Sequence, residues 1–106
     1  MDGNLFKRKC KQRIVVWTQK EKKELSNPYF QILRATEEYY ELQSQNTGHL
    51  WIIKKQFLRH PHIMLYHKHS PQIPYYHKQC RIYTVKQAVN IIEKHDRYIL
   101  QTYESK

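Results

Sequence analysis

The sequence predicts an α+β fold: a small antiparallel sheet of four or five strands, one face covered by one or two helices, the main helix at about 84–95. Three observations lead there. Short runs rich in β-branched and aromatic residues recur along the chain between turns marked by Gly, Pro and Asn. Two of these runs flank Asn46-Thr47-Gly48 closely enough to pair as a hairpin, with Gly48 placed to take the left-handed conformation. And one segment beginning at Thr84 carries both a helix-start signal and an apolar stripe at helical spacing.

In chain order, residues 1–11 read as a basic flexible arm and residues 12–106 as a single α+β domain. Residues 12–18 hold Ile14-Val15-Val16-Trp17 and predict a strand, followed by a charged connection over 19–26. Asn27-Pro28 is a favourable helix start, and Tyr29, Ile32 and Leu33 keep helical spacing, so a short helix over about 28–36 is expected, with a strand through 30–34 as the competing reading. Residues 39–45 and 50–56 form the hairpin. Residues 63–69 and 75–83 are two more strands, separated by a loop bounded by Pro71 and Pro74. Thr84 and Gln87 make a capping box, and Val85, Ala88, Val89 and Ile92 follow at i, i+3, i+4 and i+7. This helix is expected to end near His95-Asp96, where the imidazole would favour the negative end of the helix dipole. Residues 97–103 are expected to add a last strand or a short helix.

Composition supports a folded domain. At 106 residues the chain can bury roughly two-thirds of its unfolded surface. Nine Tyr and an aromatic content of 13% separate it from disordered sequences. No apolar run is long enough to span a membrane, and no secretory signal follows the basic N-terminus, so a cytoplasmic location is expected. Cys10 and Cys80 do not make a disulfide framework and are expected as free thiols.

Charge is the most informative feature. The formal net charge is +10, and residues 46–89 hold Lys54, Lys55, Arg59, Lys68, Lys78, Arg81 and Lys86 without one Asp or Glu. Six of the seven histidines lie in the same segment. A one-signed region of this length creates a positive potential that attracts polyanions. Strand alternation in 63–69 puts Ile63, Leu65, His67 and His69 on one side. In 75–83 it puts Tyr75, His77, Gln79, Arg81 and Tyr83 on the open face, with Cys80 and Ile82 towards the core.

These groups suit a nucleic acid. Lys and Arg neutralise phosphates, and Tyr and His rings offer stacking platforms to unpaired bases. The expected contacts are Lys7, Arg8, Lys9, Lys11 and Arg13 from the arm, with Tyr66, Lys68, Tyr75, Lys78, Arg81 and Tyr83 from the sheet. RNA or another single strand is favoured over duplex DNA, because the 84–95 helix uses its apolar stripe on the core. An acidic protein is the alternative partner, in an adaptor or inhibitor role. Neither a membrane nor a small-molecule cofactor is expected.

Were the protein an enzyme, the residues suit metal-independent RNA cleavage, with His67, His69 and His77 as acid and base candidates and Lys68, Lys78 or Arg81 as the cation. His67-x-His69 with a third imidazole from His49 or His77 also has the donors for Zn²⁺. Against a metal stand the neighbouring cations and the lack of any nearby carboxylate to orient the rings, so no metal site is expected.

Overall fold

In the computed structural model, residues 17–56 and 62–104 are described. Helix α1 spans Gln19–Leu25, strands β1 to β5 span Phe30–Ala35, Tyr39–Ser44, Leu50–Lys55, Ile63–Lys68 and His77–Ile82, and helix α2 spans Val85–Glu104. The strands form one antiparallel sheet in the order β1-β2-β3-β4-β5. The α+β class and the covered antiparallel sheet expected from the sequence are both present. Among the described residues, no helix is long and apolar enough to cross a membrane.

Local chemistry explains where the elements differ from expectation. The 19–26 connection is helix α1. Thr18 and Glu21 form a reciprocal capping box, with Glu21 N donating to Thr18 Oγ1 at 3.1 Å and Thr18 N to Glu21 Oε1 at 2.9 Å. Glu21 also ties this helix to the sheet through Lys55 Nζ at 2.8 Å. The helix expected over 28–36 is strand β1, the competing reading. Asn27 Oδ1 accepts from Tyr29 N at 2.9 Å, which makes a turn rather than a helix cap, and Phe30 onward pairs with β2. The sheet pairing outweighs a helical spacing carried by only three apolar residues.

The hairpin between β2 and β3 is as expected. Gly48 has φ +79° and its N–H donates to Ser44 O at 2.8 Å, so the left-handed residue closes the turn. Helix α2 starts at the Thr84–Gln87 capping box but does not stop at His95-Asp96; residues 97–103 continue it as helix. The strand expected over 12–18 and the basic arm lie largely outside the described residues, while Trp17 and Thr18 precede α1 without strand pairing.

One face of the sheet buries its side chains against α2. Leu42, Trp51, Ile53, Ile63 and Leu65 have at most 1% exposure and pack with Val85, Ala88 and Ile92 from the helix. Burying each such side chain contributes about 1.5–3 kcal/mol relative to exposure. The other face carries the alternate residues of the same strands.

Candidate functional site

On the helix-covered face the aliphatic core gives way, at one end, to histidines. His67 is the third inward residue of β4 after Ile63 and Leu65, and is 2% exposed. Its ring stacks on Trp51 with centroids 4.1 Å apart, and Trp51 Nε1 is held by donating to Ser44 Oγ at 3.1 Å. His49, 7% exposed, enters from the turn before β3, and its Nδ1 lies 2.9 Å from His67 Nε2. His95 comes down from α2, its ring centroid 5.3 Å from His49 and 4.6 Å from His67. One nitrogen from each of the three lies within 4.8 Å of the others. Burial and the neighbouring imidazoles His95, His49, His69 and His77 push the pKa of His67 down to about 3. Burial first, then His69 and His95, also lower that of His49.

A buried carboxylate stands beside this cluster. Asp96 has no exposure and accepts from Tyr29 OH at 2.6 Å and from Thr47 Oγ1 at 3.0 Å. Thr47 Oγ1 in turn accepts from His49 N at 3.2 Å. Asp96 therefore joins α2 to the segment before β1 and to the turn that presents His49. Its Oδ1 is 3.8 Å from His95 Nδ1, and that nitrogen is buried without a hydrogen-bond partner among the described residues. Burial, with the bond to Asp96, raises the pKa of Tyr29 well above the ordinary tyrosine range.

Two sequence expectations change here. His95-Asp96 is not a helix end. The pair occupies the next inward positions of the stripe that runs through Val89 and Ile92, and a His and an Asp at apolar-stripe positions were the signal available in the sequence. The missing carboxylate that argued against a metal is supplied by Asp96, from a part of the chain remote from the histidine-rich segment.

His77 also moves. Leu65 pairs with Cys80, but Tyr66 pairs with Lys78, so the register slips by one at Gln79. This bulge places His77 opposite His67 rather than on the open face, with the ring centroids 5.4 Å apart. His69 sits just past β4, its ring centroid 5.0 Å from those of both His49 and His67. His69 and His77 are exposed, whereas His67 is not. Cys80 and Ile82 face the core as expected. Cys80 is a free thiol whose pKa is raised by burial.

Cross-strand pairing defines the outer face. Tyr39, Lys54, Met64 and Arg81 form one row across β2 to β5, and Glu41, Ile52, Tyr66 and Lys78 form the next. Gln43, Leu50 and Lys68 form a third. Arg34 of β1 pairs with Glu41. Lys54, Lys78, Arg81 and Arg34 are exposed, and Tyr66 is half-buried among them. Part of the face is covered by the chain between β4 and β5: Lys68 Nζ donates to Ile73 O at 3.0 Å and lies 4.7 Å from the Tyr76 ring centroid, while Tyr76 OH donates to Glu41 Oε2 at 2.6 Å. Burial and Glu41 raise the Tyr76 pKa beyond the ordinary tyrosine range. Lys68 is thus engaged within the protein.

Of the expected contacts, Tyr66, Lys78 and Arg81 share this face. Tyr75, at 78% exposure, lies in the loop, and Tyr83, at 64%, lies beyond β5 towards α1. Lys7, Arg8, Lys9, Lys11 and Arg13 lie outside the described residues. His49, His67, His69, His77 and His95 cluster on the covered side and so do not interleave with the outer cations. No protein-family model matches the chain, and no curated protein or solved structure matches it either.

Proposed function

We propose that this protein binds nucleic acid, RNA or another single strand ahead of duplex DNA, through the outer face of its sheet. The observation that carries the reading is two adjacent cross-strand rows: exposed Lys54 and Arg81 flank buried Met64 in one, and exposed Lys78 pairs with half-buried Tyr66 in the next. Adjacent strands are about 4.8 Å apart, so these ammonium and guanidinium groups span a surface on the scale of a few nucleotides. Glu41, the one acid at the outer positions of the described strands, is occupied by the Tyr76 hydroxyl. Exposed cations release counterions from phosphates, and a half-exposed tyrosine offers a ring to an unpaired base. Helix α2 lies on the opposite side with its apolar stripe committed to the core, which disfavours insertion into a major groove.

Fluorescence anisotropy with a labelled mixed-sequence single-stranded RNA tests the reading. Saturable micromolar binding that weakens steeply with salt is expected. An RNA that stays free at about 50 mM salt overturns it. Capture of an acidic protein by this face in nuclease-treated extract, without RNA binding, favours the adaptor role instead.

A ribonuclease reading is supported by one pair. His69 and His77 are both exposed with ring centroids 6.4 Å apart, a spacing that admits a phosphate between an acid and a base. His67, 2% exposed, leaves the candidate set because a polymer cannot reach it. This reading requires cleavage that persists in excess EDTA and is lost in His69→Ala and in His77→Ala. Intact RNA after prolonged incubation removes it.

A further inference from the structure

We propose that His49, His67 and His95 form a binding site for one divalent transition-metal ion, zinc by preference, which clamps helix α2 to the sheet. The three donors come from three separate parts of the fold: the turn before β3, the end of β4, and α2. Their nitrogens lie within 4.8 Å of one another. Tetrahedral zinc at about 2.0–2.1 Å from each nitrogen needs them about 3.3 Å apart. Ring rotations cover most of that difference, and the closest pair is already at 2.9 Å.

Ordinary core packing accounts poorly for this cluster. A structural core histidine normally donates and accepts through both ring nitrogens, since an unpartnered buried polar atom is strongly disfavoured. Here three rings turn mainly towards one another. The 2.9 Å contact between His49 and His67 uses one N–H and one lone pair, and His95 Nδ1 has no partner among the described residues. A metal ion accepts one lone pair from each ring, and on His95 it takes Nε2, which leaves the unpartnered Nδ1–H for a carboxylate.

Asp96 supplies the second layer that such sites require. A ligating imidazole commonly donates its other N–H to a carboxylate, which fixes the ring and its tautomer. Asp96 Oδ1 is 3.8 Å from His95 Nδ1, so a small ring rotation completes that bond and leaves Nε2 of His95 for the ion. The carboxylate is fully buried, and its two hydrogen bonds come from the neutral hydroxyls of Tyr29 and Thr47. A cation held next to it balances a charge that is otherwise costly to bury. His69, 5.0 Å by centroid from both His49 and His67, is placed to give a fourth nitrogen. Lys68, next to His67 in sequence, lies in an outer-face row and directs its ammonium away from the cluster, to Ile73 O and the Tyr76 ring. An all-imidazole donor set selects Zn²⁺, Cu²⁺ or Ni²⁺ over Mg²⁺ and Ca²⁺.

The test uses the full chain without a purification tag. Co²⁺ is titrated into metal-stripped protein while visible absorbance is followed, then displaced with Zn²⁺, and the melting temperature is recorded with and without Zn²⁺. Saturation at one equivalent, the intense visible bands of tetrahedral cobalt, and a zinc-dependent rise in Tm are expected. His95→Gln and His49→Gln, each checked by far-UV circular dichroism, are expected to lose the bands and to weaken zinc on the order of 100-fold. His69→Ala keeps one-equivalent binding with an altered cobalt spectrum. No saturable binding, or binding unchanged in both folded Gln variants, overturns the site. RNA binding is measured on the same samples and is unaffected by either outcome, so the two proposals fail separately.

Discussion

His67 is the residue on which burial and chemistry meet most directly. Its ordinary pKa of 6.5 applies in the unfolded chain, whereas the native pocket holds it near 3. Below about pH 6.5 the unfolded state therefore binds a proton that the native state refuses, and stability falls as pH drops towards 3. Above 6.5 the ring is neutral in both states and its contribution is constant. Metal-free protein is expected to lose about 1.4 kcal/mol per pH unit from His67 between pH 6 and 4, with His49 adding in the same direction. Urea unfolding in EDTA at several pH values measures this, and a flat profile contradicts it. Asp96→Ala removes the acceptor of the half-buried Tyr29 and Thr47 hydroxyls, which still accept from Asn46 Nδ2 and His49 N, and is expected to cost about 2 kcal/mol by the same measurement. Part of this site was legible in the sequence. His67-x-His69 on a strand was visible from its spacing, and His49 was a named possible third. His95 and Asp96 were read as a helix end, because sequence distance hides what a long helix brings back to the sheet.

At the scale of elements, turns and registers decide which groups meet. Gly48 at φ +79° has nothing within 4 Å of where a Cβ would stand, so Gly48→Ala is penalised by backbone strain rather than by a clash. A loss of about 1–2 kcal/mol is expected in urea unfolding, and an unchanged midpoint contradicts it. Thr18→Ala removes the acceptor for Glu21 N and is expected to cost about 1 kcal/mol, with loss of helical signal confined to α1. The hairpin and the start of α2 could be read directly, because Asn46-Thr47-Gly48 and the Thr84–Gln87 box are local signals. The Thr18–Glu21 box is equally local, but it sits in a run of charges with no apolar stripe to mark a helix. Strand β1 and the Gln79 bulge were not readable locally. The first depends on pairing with β2, and the second reverses the face of His77 through a one-residue slip that alternation alone does not reveal.

Over the whole molecule, the sheet separates two chemistries that are mixed in the sequence. The acid-free segment 46–89 looks like one cationic, ring-studded surface when read linearly. Folding sends His49 and His67 to the covered face beside α2 and leaves Lys54, Lys78 and Arg81 exposed on the outer one. The net charge was legible and so was the sheet. The division of the charge from the imidazoles was not, because it depends on strand register and on where α2 packs. The central claim is that phosphates are met by the outer cations. Its most direct test is the salt dependence of single-stranded RNA affinity for the native chain and for Lys78→Glu/Arg81→Glu. Removing two phosphate contacts is expected to make the slope of log K against log salt shallower by about 1.4, with weaker binding at low salt. An identical slope and affinity in the double variant would contradict the claim.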